Sequence, residues 1–158
     1  QRFRRTPVIV RGRDYMDVGN RNAWRPGEVV PSAELLARIR ERWPLSAVPG
    51  HYRGEVAERY VYDDGAGEIG FISSVSAPFC GACSRVRLSS EGLLYTCLFA
   101  TRGADLRGPV RAGASDDDLV ALVRAAWSQR ADRYSEQREE LRRREEPLAK
   151  IEMHYIGG

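Results

Sequence analysis

Phe79-Cys80-Gly81-Ala82-Cys83-Ser84-Arg85-Val86-Arg87-Leu88 carries two of the three cysteines in this 158-residue chain, and Tyr95-Thr96-Cys97 carries the third. A close Cys-x-x-Cys pair plus one more thiolate is a metal-ligand arrangement. After Cys83 the residues alternate polar and apolar with period two, Glu91-Gly92 is a turn signal, and Leu93-Leu94-Tyr95 returns. That pattern predicts a β-hairpin joining Cys83 to Cys97 and able to bring the three thiolates to one centre. Three thiolates on a four-iron cluster leave one iron open to water, histidine or substrate. Structural zinc of the Cys3His kind, using His51 or His154, fits the same residues. So do zinc with an open position, a thioredoxin-like redox pair and three unliganded buried cysteines. The redox motif would have to open a helix after a strand, whereas here a period-two strand follows. Spacing leaves iron–sulfur and zinc both open.

Working outward, Tyr60-Val61-Tyr62 and Ile69-Gly70-Phe71-Ile72 flank the turn Asp63-Asp64-Gly65-Ala66-Gly67, a second hairpin. Leu35, Leu36, Ile39 and Trp43 fall at helical spacing over 33–43, with Ser32 as a cap and Pro44 as a stop. Residues 44–57 read as irregular. Asp105 opens a short helix with Pro109 in its first turn and Gly113 at its end. Ser115-Asp116-Asp117-Asp118 starts another helix, because the Ser caps and the acids meet the positive helix end. Residues 128–150, dense in Arg and Glu, read as a solvated helix held by opposite charges, or alternatively as a lid or partner surface. Pro7-Val8-Ile9-Val10 reads as a strand. The expected class is α+β: two hairpins, about three helices, a cysteine loop and an extended tail.

Hydrophobic residues make up 42% and charged residues 30%, enough for one domain with a core. The formal charge of +3 suits an anionic small molecule and does not by itself point to nucleic acid. No apolar run approaches the roughly 18 residues of a membrane span. No apolar core follows the basic Gln1-Arg2-Phe3-Arg4-Arg5, so no signal peptide is expected. Three clustered cysteines cannot all pair, which points to a reducing, cytoplasmic setting.

Arg85 and Arg87 alternate along the predicted strand, so both are expected on one face. Guanidinium groups bind phosphate bidentately and keep their charge, so this pair is a candidate phosphate clamp; two exposed surface arginines are the plainer alternative. Arg11 could add a third cation. The closing Gly157-Gly158 lacks side chains and could thread into a narrow site, although such ends are usually frayed.

Tyr15-Met16-Asp17-Val18-Gly19-Asn20, Tyr52-Arg53-Gly54-Glu55-Val56-Ala57, the cysteine segment, Tyr95-Thr96-Cys97-Leu98-Phe99, Asp105-Leu106-Arg107 and Ile156-Gly157-Gly158 together resemble one family. It is the GTP 3′,8-cyclases of molybdenum cofactor biosynthesis, radical S-adenosylmethionine enzymes, and the resemblance is to their C-terminal part. It covers nearly all of residues 11–158. The resemblance implies that Cys80, Cys83 and Cys97 hold a 4Fe–4S cluster whose open iron binds the guanine of GTP. It implies that Arg11, Arg85 and Arg87 contact GTP, and that Gly157-Gly158 enters the active site and supports catalysis. The family's Arg-Phe-Ile-Glu-Tyr-Met strand stands here as Arg11-Gly12-Arg13-Asp14-Tyr15-Met16.

The family's Cys-x-x-x-Cys-x-x-Cys motif for the cluster that cleaves S-adenosylmethionine is not in this sequence, so S-adenosylmethionine belongs only to the complete enzyme. The resemblance thus implies the C-terminal module of an incomplete TIM-type (β/α) barrel enzyme. Residues 1–13 would be a barrel-strand remnant, and 14–158 the cluster- and GTP-binding module, inactive alone. GTP is the expected ligand, with an N-terminal barrel half or a homodimer mate as partner. The competing function is a non-catalytic zinc or iron–sulfur module that recognises a nucleotide, RNA or a protein.

Overall fold

The computed structural model describes residues 2–19, 21–143 and 151–156. They form an α+β protein whose chain divides into two compact units. One comprises Gln1–Met16 and Trp24–Cys83, the other Asp17–Ala23 and Ser84–Gly158.

In the first unit β1 (Val10–Arg13), α1 (Ser32–Arg40), β2 (Leu45–Val48), β3 (Glu58–Tyr62) and β4 (Glu68–Ile72) follow in chain order. The sheet order is β1-β4-β3-β2, with β1 parallel to β4 and the other pairs antiparallel. The predicted 60–72 hairpin is the β3–β4 pair, closed where Gly65 and Gly67 take positive φ. Leu45, Tyr60, Tyr62, Ala66, Ile69 and Phe71 form the core, and Leu35, Leu36, Ile39 and Trp43 pack on it. Each large apolar side chain buried this way contributes about 1.5–3 kcal/mol. A Cβ at Gly12 would stand 3.0 Å from the Phe71 ring, so the glycine lets that ring lie against β1.

Four local expectations shift. Ser32 is the first residue of α1 rather than its cap, because its hydroxyl donates to Asp14 Oδ1 at 2.8 Å. The helix ends at Arg40, before Trp43 and Pro44. The stretch read as irregular contains β2, which pairs with β3 from Leu45↔Tyr62 to Val48↔Arg59. The N-terminal strand begins at Val10; Val8 and Ile9 precede it and, like Val10, are exposed.

The second unit contains β5 (Arg87–Leu88), β6 (Leu93–Tyr95), β7 (Ala104–Asp105), α2 (Arg107–Arg111), α3 (Asp116–Ser128) and α4 (Tyr134–Arg143). The strands form one antiparallel sheet in the order β5-β6-β7. The hairpin predicted after Cys83 is there, turning at Gly92 with φ +79°, although its first strand has only two residues. α3 opens on a complete capping box: Ser115 Oγ accepts from the Asp118 N–H, and the Ser115 N–H donates to an Asp118 carboxylate oxygen. The Arg/Glu-rich region departs from its simplest reading. The described part includes α4, which is not wholly solvated, since Tyr134 and Arg138 are buried. Residues 144–150 lie outside the described residues. Among the described residues no helix is long and apolar enough to cross a membrane.

Candidate functional site

Cys80 opens a single 3-10 turn, Cys80–Ala82, closed by a hydrogen bond from the Cys83 N–H to the Cys80 carbonyl at 3.3 Å. Cys83 follows the turn in extended conformation, so one turn of backbone separates the two cysteines of the Cys-x-x-Cys pair. Both cysteines are half-buried. The loop leading to them is tied down from β1's end. Asp14, only 3% exposed, accepts hydrogen bonds through Oδ2 from the Val75 N–H at 2.9 Å and the Ser76 N–H at 2.7 Å. The Ser76 hydroxyl adds a third to the same oxygen at 2.9 Å. A buried carboxylate needs such donors to offset lost hydration.

Cys97 belongs to the second unit and stands two residues past the end of β6. Its Sγ accepts a hydrogen bond from the Phe99 N–H at 3.4 Å. Thr96 donates to Asp132 at 2.7 Å, and Asp132 pairs with Arg130 at 2.7 Å. Phe99 stacks on Tyr134 with centroids 4.4 Å apart. The Tyr134 hydroxyl donates a short hydrogen bond to Asp17 Oδ2, and Arg138 Nε donates to Asp17 Oδ1 at 2.9 Å. The Arg138 guanidinium also lies over both the Phe99 and Tyr134 rings. Burial first, then the bond to Asp17, pushes the Tyr134 phenol far above its ordinary pKa. Asp14 and Asp17 fall within segments that carry the family resemblance but were given no role there, and Asp132, Tyr134 and Arg138 lie in no quoted motif; the sequence signal for the last two is their i, i+4 spacing, which shares a helix face.

The other expected site residues fall as follows. Arg11, on β1, reaches toward Glu68 at 3.4 Å and Glu55 at 3.6 Å, and its side chain crosses Gly70, where a Cβ would meet Nη1 at 2.5 Å. Arg87 is half-buried on β5, whereas Arg85 precedes the strand and is exposed, so strand alternation does not relate the two. Gly157 and Gly158 lie outside the described residues; the residue before them, Ile156, is 1% exposed. Tyr155 beside it donates a short hydrogen bond to Glu91. His51 and His154 are exposed. Among the described residues no group of three or more His, Cys, Asp and Glu side chains is gathered tightly enough to hold an ion.

The chemistry of the donor set fits an iron–sulfur group. Three sulfur donors are partly shielded from water, one of them already accepts a backbone N–H, and soft thiolates are the ligands such clusters take.

Residues 9–136 match the family described as Molybdenum Cofactor Synthesis C. The chain belongs to that family. Relatives within reach of it are named GTP 3′,8-cyclase. One from Xanthomonas campestris pv. campestris is 50% identical over all 158 residues, which is 45% of its own length. One from Acidothermus cellulolyticus is 45% identical, covering 95% of this chain and 48% of that protein. One from Synechococcus sp. is 46% identical, covering 92% and 40%. This Molybdenum Cofactor Synthesis C chain thus spans less than half the length of the curated relatives it matches, in their C-terminal part.

Proposed function

We propose that this chain is the GTP- and 4Fe–4S-binding C-terminal portion of a GTP 3′,8-cyclase, a lyase of molybdenum cofactor biosynthesis that converts GTP to 3′,8-cyclo-7,8-dihydro-GTP. The observation that carries the reading is 50% identity across all 158 residues with a relative of that name. In it, Cys80, Cys83 and Cys97 are the cluster ligands. A cluster held by three thiolates supplies, when bound, one iron with an open coordination position at which a purine can be fixed. Arg85 and Arg87 hold the triphosphate, since a guanidinium matches phosphate geometry and stays charged at any working pH. Arg11 adds a third cation, and Gly157-Gly158 approaches the substrate as a side-chain-free tail. The work of this portion is orientation: a substrate fixed at base and phosphates presents its sugar in one pose.

Radical generation from S-adenosylmethionine belongs to the part of the relatives that this chain does not match, so the chain alone is inactive. An N-terminal barrel half, or a second copy, is its partner, and the reducing cytoplasm its setting. In this reading residues 1–13 are a barrel strand and what leads into it. The parallel pairing of β1 on the sheet's edge and the exposed Val8, Ile9 and Val10 support that assignment.

Anaerobic iron–sulfur reconstitution followed by electron paramagnetic resonance of the reduced protein, with and without GTP, tests the reading. The expected result is a four-iron signal that GTP perturbs. One tightly held zinc, or no iron uptake, with no response to GTP, would replace it with a structural metal module. Arg85→Ala is expected to weaken GTP binding by about 1–3 kcal/mol, the range for a hydrogen bond to a charged group. Isothermal titration of the reconstituted protein reads the change, and unaltered affinity removes Arg85 from the phosphate site.

A further inference from the structure

Arg138 and Asp17 are 4% and 3% exposed and 121 residues apart, and they form a buried ion pair whose desolvation consumes much of what their attraction returns. What the pair does hold is geometry. The two oxygens of Asp17 accept one hydrogen bond from the Tyr134 hydroxyl and one from Arg138 Nε, so that Tyr134 stacks on Phe99 while the Arg138 guanidinium lies over both rings. Phe99 stands two residues after Cys97 and its N–H already points at the Cys97 sulfur. On the other side of the cysteine, Thr96 is tied to Asp132, two residues before Tyr134.

We infer that Asp17, Tyr134 and Arg138 are positioning residues that set the Cys97 loop in its ligating shape before any metal arrives. The inference rests on the reading of Cys97 as a cluster ligand. Cys97 is the ligand for which such help matters most. Cys80 and Cys83 are placed relative to each other by one turn of backbone, whereas Cys97 is separated from Cys83 by 13 intervening residues. A loop that had to be ordered by the metal itself would take its ordering cost out of metal affinity. Both flanks of Cys97 are instead held by side chains of the segment from Asp132 to Arg138. Asp14, three residues before Asp17, performs the equivalent tie on the Val75–Ser76 loop ahead of Cys80, within the other unit. That separation makes the inference testable residue by residue.

The test is iodoacetamide labelling of the metal-free full chain, with each cysteine followed by peptide mass spectrometry. Tyr134→Phe keeps the ring and loses only the hydroxyl; Phe99→Leu keeps the backbone N–H and loses the stack. Each is expected to raise the Cys97 labelling rate on the order of tenfold, as local opening becomes easier, and to leave Cys80 and Cys83 within about twofold. Asp14→Asn is expected to do the reverse. Iron taken up per chain on reconstitution falls in Tyr134→Phe relative to the unmodified protein. An unchanged Cys97 rate overturns the inference, and so does an equal rise at all three cysteines, which reports general loosening. If the unmodified chain takes up no iron, the cluster reading falls, while the labelling pattern still decides whether these residues hold the Cys97 loop.

Discussion

Gly92 decides the turn between β5 and β6, and it does so twice over. Its φ of +79° is a conformation that side chains rarely adopt, and a Cβ there would stand 2.8 Å from the Cβ of Arg107. Gly92→Ala is expected to cost about 1–3 kcal/mol for the backbone alone, visible as a melting temperature lower by several degrees in circular dichroism. Because β5 carries Arg87 and β6 ends two residues before Cys97, the same variant should weaken both proposed ligand contacts. This residue was legible from its neighbours, since Glu91-Gly92 is a turn signal on its face. Asp17 was not. Its partners lie 117 and 121 residues downstream, and nothing local marks an aspartate that is about to be buried.

Within elements, the cross-strand pair of Arg59 on β3 and Glu68 on β4 is the clearest test of the first unit. Arg59 binds both oxygens of Glu68, at 2.9 and 2.5 Å. That hydrogen-bonded guanidinium, more than the charge of Arg11 nearby, holds the Glu68 carboxyl below its ordinary value of 4.5 despite an opposing push from burial. A carboxyl depressed on folding binds protons more weakly than in the unfolded chain. Its stabilisation is therefore complete above about pH 4.5 and disappears as pH falls through the lower folded value. Glu68→Gln should be less stable than the unmodified chain at pH 7, and the gap should close on acidification; urea midpoints measured from pH 7 to 3 would show it. A constant gap would mean that packing, not charge, is what Glu68 supplies.

Sequence patterns served these elements unevenly. The capping box of α3 is a four-residue affair and was plain in Ser115-Asp116-Asp117-Asp118. β2 was missed because Leu45-Ser46-Ala47-Val48 lacks alternation of its own and becomes a strand by pairing with β3. α4 was recognised, but its burial was not, because Arg138 reads as solvent-facing until its partners are known. Arg85 and Arg87 were expected to share a face through strand alternation, which a strand of two residues does not provide.

At the scale of the whole molecule, the exposed apolar side chains ahead of and within β1 are the main liability. Val8, Ile9 and Val10 are each more than 40% exposed, next to a cavity of about 240 Å³ lined in part by Phe3, Trp43 and Phe71. An edge strand of this kind offers both unpaired backbone groups and apolar surface. The isolated chain is expected to bind a hydrophobic dye and to self-associate with rising concentration. Ile9→Lys should reduce both without changing the circular dichroism spectrum; sedimentation velocity is the measurement. A monodisperse monomer that binds no dye would make residues 1–13 a finished surface rather than a strand awaiting its neighbours.

The division into two units follows no single cut in the chain. Asp17–Ala23 is a short loan from the sequence of the first unit to the body of the second, so the backbone passes between units after Met16, after Ala23 and after Cys83. Expressing residues from Ser84 onward would deprive Arg138 of Asp17 and leave a cation buried without its counter-ion. Expressing residues up to Cys83 would strand that aspartate in solvent. A single cut after Cys83 therefore keeps the first unit whole on one piece but breaks the second, whose buried cation depends on a stretch lying inside the other unit's sequence.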